Sequence, residues 1–266
     1  MKTRIAELKL SLRQQEILGM ARQKGYLSTE ELARILEVTT QTIRRDINLL
    51  CESGVMRRYH GGVGLALSTE NVDYLSRQVL NQEAKTRIAR MVAGQIPDSA
   101  SLFINIGTTT EAVAKALVSG HRHLRIITNN LNVAGMLAEN DSFEVIVAGG
   151  VVRRDRGVIG ESTIDFIRQF KVDFGIMGIS GIDGDGTLLD FDYREVRVSQ
   201  AIIENARQVY LVTDHTKFSI TPMVKLGHIG EVDALFTDRP PSAEMMQVLA
   251  ETKTRLFVAD AEETRR

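Results

Sequence analysis

Thr39-Thr40-Gln41-Thr42-Ile43-Arg44-Arg45-Asp46-Ile47-Asn48-Leu49-Leu50 is the stretch on which the reading of this chain turns. Ile43, Ile47 and Leu50 recur at i, i+4 and i+7, one face of a 3.6-residue helix, and are predicted to pack inward. Gln41, Arg44, Arg45 and Asn48 recur at i, i+3, i+4 and i+7 on the opposite face. A solvent-facing row of amides and guanidinium groups suits base edges and phosphates, because Arg forks match guanine acceptors and Gln or Asn can bond adenine twice. Thr39 is placed to cap this helix, which is predicted to run to about Ser53. Thr40 and Thr42 in its first turn join the DNA-facing set.

Working outward, Leu12 to Lys24 reads as a helix with Ile17, Leu18 and Ala21 on one side, and Gly25 stands where a C-terminal cap belongs. Ser28-Thr29-Glu30-Glu31 is a capping box. It opens a second helix that is predicted to bury Leu32, Ile35 and Leu36 and to end near Glu37-Val38. Two helices joined by a tight turn, the second with a polar reading face, make a helix-turn-helix. After Gly54, Val55-Met56-Arg57-Arg58-Tyr59-His60-Gly61-Gly62 reads as a hairpin, the wing of a winged helix. Arg57, Arg58 and His60 are its candidate contacts to phosphates or the minor groove. Any one of these arginines alone would be an ordinary solvated charge, and His60 could equally cap the hairpin. The arrangement as a whole carries the assignment. Cys51 reads as a small packed side chain.

The 266 residues fit two compact domains, and 43% apolar with 25% charged residues is ordinary for a globular protein. One cysteine cannot form an internal disulfide, and no Cys/His spacing points to zinc, so a reducing cytoplasm is the expected compartment. The N-terminus lacks the apolar run of a signal peptide, and no stretch approaches the roughly 18 apolar residues of a membrane span. Residues 1–62 hold 11 Lys/Arg against 7 Asp/Glu, a balance of +4, and the remainder holds 22 against 27, or −5. A basic head on an acidic body fits a head that meets a polyanion, although a solvated helical face would give the same count.

The expected organisation is a winged helix-turn-helix over 1–62, a connector over 63–80, a second domain over 81–258 and a flexible tail over 259–266. In the second domain Glu83 to Gln95 is helical. Strands are then predicted near 101–106, 125–128, 144–148, 173–178, 208–213, 234–237 and 255–258. Helices fit near 109–118, 131–138, 162–169, 192–206 and 242–251. That alternation predicts an α/β fold with a mostly parallel sheet flanked by helices, whose ligands gather at the carboxyl ends of the strands. Asn105, Gly107, Thr108, Thr109 and Thr110 follow the first of these strands. There glycine lets a ligand approach the backbone, and a helix N-terminus attracts an anion, a phosphate above all. Thr128 and Asn129 follow the second strand, and Gly149 and Gly150 the third. Lys217 lies beyond the strand ending Val212-Thr213-Asp214, where an ammonium can pair with phosphate. Glu195 sits early in its helix, where a carboxylate can accept sugar hydroxyls or simply favour the helix dipole. Asp183-Gly184-Asp185-Gly186 resembles a calcium loop only superficially and reads as a turn. No GxGxxG follows a strand and no GxxxxGK[ST] occurs, so no nucleotide cofactor is expected; nor is a metal.

Gly25-Tyr26-Leu27-Ser28-Thr29-Glu30-Glu31-Leu32-Ala33, Thr42-Ile43-Arg44-Arg45-Asp46 and His60-Gly61-Gly62 together resemble the signature of the bacterial DeoR-type repressors. Ile106-Gly107-Thr108-Thr109, Thr128-Asn129-Asn130, Gly149-Gly150, Gly181-Ile182-Asp183 and Asp214-His215-Thr216-Lys217-Phe218 resemble that family's sensor-domain motifs. The resemblance implies a second domain related to ribose-5-phosphate isomerase, with a phosphorylated sugar or polyol as inducer. Asn105 departs from the acidic residue many members carry. Thr128 to Ala134, Ile159 to Ile167 and Leu188 to Tyr193 resemble the branch of the family that answers to glycerol 3-phosphate, which implies that effector. The resulting expectation is a repressor, a homo-oligomer (dimer or tetramer), bound to a palindromic double-stranded operator and released by its effector. Two rival readings are an isomerase-like enzyme with Glu195 or Asp192 as base, and a nonspecific nucleic-acid scaffold.

Overall fold

A computed structural model of the protein describes residues 10–24, 26–52, 56–59, 62–65, 74–79 and 81–259. It divides into two compact units, with the boundary between Asn81 and Gln82.

In the first unit, helix α1 (Leu12–Lys24) leads through strand β1 (Tyr26–Ser28) to helices α2 (Thr29–Ile35) and α3 (Thr40–Glu52). Strands β2 (Met56–Tyr59) and β3 (Gly62–Leu65) and a short helix, α4 (Tyr74–Val79), follow. The three strands form an antiparallel sheet in the order β1-β3-β2. Ile17, Leu18 and Ala21 of α1, Leu32 of α2, and Ile43, Ile47 and Leu50 of α3 close one core with Leu27, Met56 and Val63 of the sheet. Both caps form: Ser28 Oγ accepts from the Glu31 amide at 3.0 Å and Thr39 Oγ1 from the Thr42 amide at 3.2 Å.

Two expectations need correction here. Ile35 is 44% exposed, and Ala33 takes the inward place beside Leu32, with Leu36 half-buried behind it. α2 stops at Ile35, so a full second turn of buried spacing is never completed. Residues 63–80 are not a plain connector, because β3 completes the wing and Tyr74–Val79 is helical. Gly25, His60 and Gly61 lie outside the described residues, as does the side chain of Arg57.

The second unit opens with α5 (Gln82–Ala93). It then alternates β4 (Ser101–Ile104), α6 (Thr108–Gly120), β5 (Arg125–Thr128), α7 (Leu131–Leu137) and β6 (Glu144–Val147). A hairpin of β7 (Val151–Val152) and β8 (Val158–Ile159) leads to α8 (Glu161–Ile167) and β9 (Val172–Met177). β10 (Gly181–Ile182), β11 (Thr187–Asp190), α9 (Tyr193–Asn205), β12 (Ala206–Val212), β13 (Val224–His228), β14 (Ala234–Thr237), α10 (Ala243–Thr252) and β15 (Arg255–Val258) complete it.

Seven strands form one parallel sheet in the order β15-β14-β12-β9-β4-β5-β6. Its central strands read as continuous apolar runs because both faces are covered. Leu102 and Ile104 of β4 point into a core with Ile88 of α5, Val113 of α6 and Val133 of α7. Phe103, between them, points into the opposite core with Ile164 of α8, Ile202 of α9 and Met245 of α10.

The chain enters at β4, runs outward to β6, then returns to β9 on the other side of β4 and runs outward again. β4 and β9 therefore flank a topological switch point, and their following loops diverge to opposite faces of the sheet. A separate antiparallel sheet, β10-β11-β13, escapes sequence reading, since its strands are only two, four and five residues long and interrupted by Gly and His. Asp183–Gly186 is the turn between β10 and β11: the Gly186 amide donates to the Asp183 carbonyl, and Gly186 has φ +85°. At the far end, Ala259 is buried rather than part of a tail, and its amide donates to the Thr237 carbonyl at 2.8 Å. Residues 260–266 lie outside the described residues.

Candidate functional site

The first unit presents one polar surface of the expected kind. Gln41, Arg44, Arg45 and Asn48 are all exposed on α3, with Thr40 beside them and Thr42 half-buried. The inward face of the same helix carries a polar anchor. Asp46, 5% exposed, accepts from Arg13 Nε at 2.6 Å and Gln14 Nε2 at 3.1 Å, so that α1 braces α3. From the wing, the Arg58 guanidinium donates to Asn48 Oδ1, which joins strand and helix into one surface.

In the second unit, Gly107 begins the loop at the switch point. Its φ of +149° disfavours any side chain, and it offers none to cap α6. The first-turn amides of a 13-residue helix therefore face the carboxyl end of β4, the arrangement that attracts an anion. Gly107 and Thr108 are accessible, whereas Thr109 and Thr110 are buried. The Thr110 hydroxyl donates to the carbonyls of Asn105 and Gly107, so it shapes the loop from within. Thr128 does the same for β5, donating to the Ile104 carbonyl at 2.6 Å and accepting from the Asn130 amide at 3.0 Å. Asn105 is buried too. Its Nδ2 donates to Ser199 Oγ of α9 at 2.8 Å, and its Oδ1 accepts from the Ile106 amide at 2.7 Å.

Asn129 differs from these. It is 1% exposed and its Nδ2 donates to the Val158 carbonyl, yet its Oδ1 is buried with no hydrogen-bond partner. An orphaned buried acceptor costs on the order of 1–3 kcal/mol, and a bound donor would relieve it. The β7–β8 hairpin covers this corner. Val158 donates its amide to the Asn129 carbonyl, Leu131 donates its own to the Arg156 carbonyl, and Gly157 lies so close to Ile106 that a Cβ would fall 2.5 Å from its side chain. Gly149 and Gly150 lead into that hairpin. Gly150, at φ +152°, has no room for a Cβ between Thr163 and the Ile159 carbonyl.

The group that sequence reading missed is Arg153, at the hairpin's turn. It is bonded to Glu195 Oε2 at 2.6 Å, with Asp155 at 3.3 Å and Asp192 at 3.4 Å. Burial opposes its charge, but the three carboxylates outweigh that and hold the guanidinium above its ordinary pKa. Asp192 also caps α9, accepting from the Arg194 amide at 2.9 Å. Arg153 and Glu195 stand 42 positions apart with no motif joining them, so no local signal could have paired them. Lys217 is half-buried in a 3₁₀ turn after β12, and its amide donates to the Asp214 carbonyl. Beside it, His215 pairs through Nδ1 with Asp238 Oδ2 at 2.8 Å. Thus Gly107, Thr108, Asn129, Gly149, Gly150, Glu195 and Lys217 all belong to loops or first helical turns that follow strands. Asn105, Thr109, Thr110 and Thr128 are buried in the supporting framework.

A winged helix-turn-helix and a doubly wound α/β unit with an uncapped helix N-terminus at its switch point, carried on one chain, have the make-up of a transcription regulator with a sensor domain. Residues 13–69 match the DeoR-like helix-turn-helix domain and residues 80–239 the DeoR C-terminal sensor domain, and the chain belongs to the DeoR family. It is 52% identical over 253 residues to the glycerol-3-phosphate regulon repressor of Haemophilus influenzae, covering 95% of this chain and 98% of that one. The repressor of the same name from Escherichia coli is 53% identical over 250 residues, covering 94% and 99%. The HTH-type transcriptional repressor CsqR of Escherichia coli is 41% identical over 255 residues, covering 96% and 97%. The chain is accordingly a DeoR-type repressor and not an enzyme, which removes the isomerase reading. A D-ribose-5-phosphate isomerase structure aligns over 52% of this chain and 54% of its own, at 15% identity and a TM-score of 0.38, too distant to carry an argument. Among the described residues no helix is long and apolar enough to cross a membrane.

Proposed function

We propose that this repressor works in the cytoplasm as a homo-oligomer on a palindromic operator and leaves it when its second unit binds glycerol 3-phosphate. Two copies of α3 would enter successive major grooves. Arg44, Arg45, Gln41 and Asn48 would read base edges, while Thr40, Thr42, Arg57, Arg58 and His60 contact phosphates or the minor groove. The exposure of all four side chains of the α3 stripe supports this assignment. In the second unit, the uncapped N-terminus of α6 at Gly107 and Thr108, with Lys217, would take the phosphate, and Asn129 and Glu195 the hydroxyls. Gly149 and Gly150 would set the hairpin over them.

The observation that carries the effector reading is the uncapped α6 N-terminus at the switch point, in a chain more than half identical to repressors named for glycerol 3-phosphate. Coupling of about 1–3 kcal/mol, a 5–150-fold change in operator affinity, would be ordinary. Fluorescence anisotropy at fixed salt, with a duplex from the promoter beside the protein's own gene, tests it. Release by glycerol 3-phosphate but not by glycerol or inorganic phosphate is expected. Tight binding that no sugar phosphate moves would overturn the effector reading, and equal affinity for any duplex would overturn the operator reading.

A further inference from the structure

Close to the end of β4, a group of carboxylates gathers around Arg153. Three carboxylates meet two guanidiniums there: Glu195 and Asp192 from the first turn of α9 and Asp155 from the hairpin bond Arg153, and Asp192 also bonds Arg194 Nη2 at 2.9 Å, which leaves one excess negative charge. All three are at least four-fifths buried. Glu195 lies four residues, about 6 Å of helical rise, before Ser199, whose hydroxyl accepts from Asn105 just after β4. The acidic group therefore stands beside the loop that carries Gly107. Independently, Asn129 Oδ1 is a buried acceptor with no partner under the same hairpin. Both features call for a ligand that donates hydrogen bonds, and a second anion brought there would meet like charge, which partner discrimination exploits.

We propose that this acidic group is the specificity filter of the crevice, accepting hydroxyl groups of a phosphorylated polyol and rejecting phosphorylated acids, with Arg153 as the positioning residue that holds Glu195 and Asp192. The proposal rests on the effector reading above and fixes the ligand's orientation: phosphate toward α6, hydroxyls toward α9. Arg153 acts through the carboxylates. Its fork crosses from the hairpin to α9 and fixes where Glu195 and Asp192 lie.

The test is isothermal titration of the full chain with three ligands: glycerol 3-phosphate, propyl phosphate, which lacks both hydroxyls, and 3-phosphoglycerate, which carries a carboxylate. Wild type should bind propyl phosphate and 3-phosphoglycerate each at least tenfold more weakly than glycerol 3-phosphate. Glu195→Gln, isosteric, and Asp192→Asn, which still caps α9, should each shrink the penalty on 3-phosphoglycerate at least fivefold. Arg153→Lys should cut the preference for glycerol 3-phosphate over propyl phosphate while leaving propyl phosphate affinity nearly unchanged. Equal wild-type affinity for the polyol and the acid would overturn the filter, with no variant needed. So would a ratio unmoved in both carboxylate variants. Equal loss of glycerol 3-phosphate and propyl phosphate in Arg153→Lys would make Arg153 a phosphate ligand or a strut. Binding of none of the three would remove the effector reading, and the filter with it.

Discussion

Replacing Asp46 by Ala separates two roles that the α3 sequence leaves entangled, since Asp46 sits directly beside Arg45 yet faces the core. The side chain accepts from Gln14 Nε2 at 3.1 Å and Arg13 Nε at 2.6 Å. Gln14 is buried, so its amide donor would be left unsatisfied at a cost of about 1–3 kcal/mol. Arg13 is 39% exposed and finds water, which limits that ion pair to about 1 kcal/mol or less. The sum is about 2 kcal/mol of bracing between α1 and α3. At about 1.4 kcal/mol per factor of ten, local opening should become roughly 30-fold more frequent. Hydrogen exchange on the full chain, followed by mass spectrometry of its peptides, reads this directly. Amides of 12–24 and 40–52 should exchange about 30-fold faster, while those of 101–128 stay unchanged. Operator affinity should fall only to the extent that α3 is loosened. Unchanged exchange together with lost operator affinity would refute the argument and make Asp46 a direct DNA contact.

Three further outcomes follow from the same geometry. The double variant Arg44→Ala/Arg45→Ala should weaken operator binding and flatten its salt dependence while sparing glycerol 3-phosphate binding; retained operator affinity in anisotropy would remove α3 from the DNA surface. Gly150→Ala should destabilise the second unit by about 1–3 kcal/mol from the left-handed backbone alone. The clash adds to this, since the new Cβ would lie 2.3 Å from Thr163 Oγ1 and 2.7 Å from the Ile159 carbonyl, and an unchanged melting temperature would contradict it. Burial would raise the Asp238 pKa, but the hydrogen bond and charge of His215 outweigh it and hold the carboxyl below its ordinary value. A depressed folded pKa stabilises above the unfolded value, near about 3.9, and the contribution is lost as pH falls through the folded one. Melting temperature should therefore drop on acidification below about pH 4, less steeply in Asp238→Asn; identical slopes would exclude the pair as the cause.

What the sequence announces and what it conceals divide along the length scale of the interaction. α1 from Leu12 to Lys24, β5, β14 and β15 occupy the residues their periodicity predicts, because each pattern is set by neighbours a few positions away. The Thr39 and Ser28 caps are equally local. Ile35 misleads for a tertiary reason: helical spacing nominates it for the core, but α2 ends there and Ala33 is the residue that turns inward. The two-residue strands β7, β8 and β10 are too short to show a period of two, so loops and strands look alike in them.

The crevice is harder still, because its chemistry is made by topology. Glycines and hydroxyls at strand ends mark where a ligand can come, and sequence reading finds them; two of the four hydroxyls, Thr110 and Thr128, then prove to be tied to backbone carbonyls. The members of the proposed filter come from a hairpin after β6 and a helix after β11. Return of the chain from β6 to β9 across β4 brings those pieces together. Glu195 read alone is an ordinary first-turn carboxylate, and Arg153 read alone is one of three arginines in a polar loop. Only because Arg153 bridges to α9 are these carboxylates held together, and it is that bridge which, in the filter we propose, would let an anion-attracting helix terminus tell a polyol phosphate from an acid.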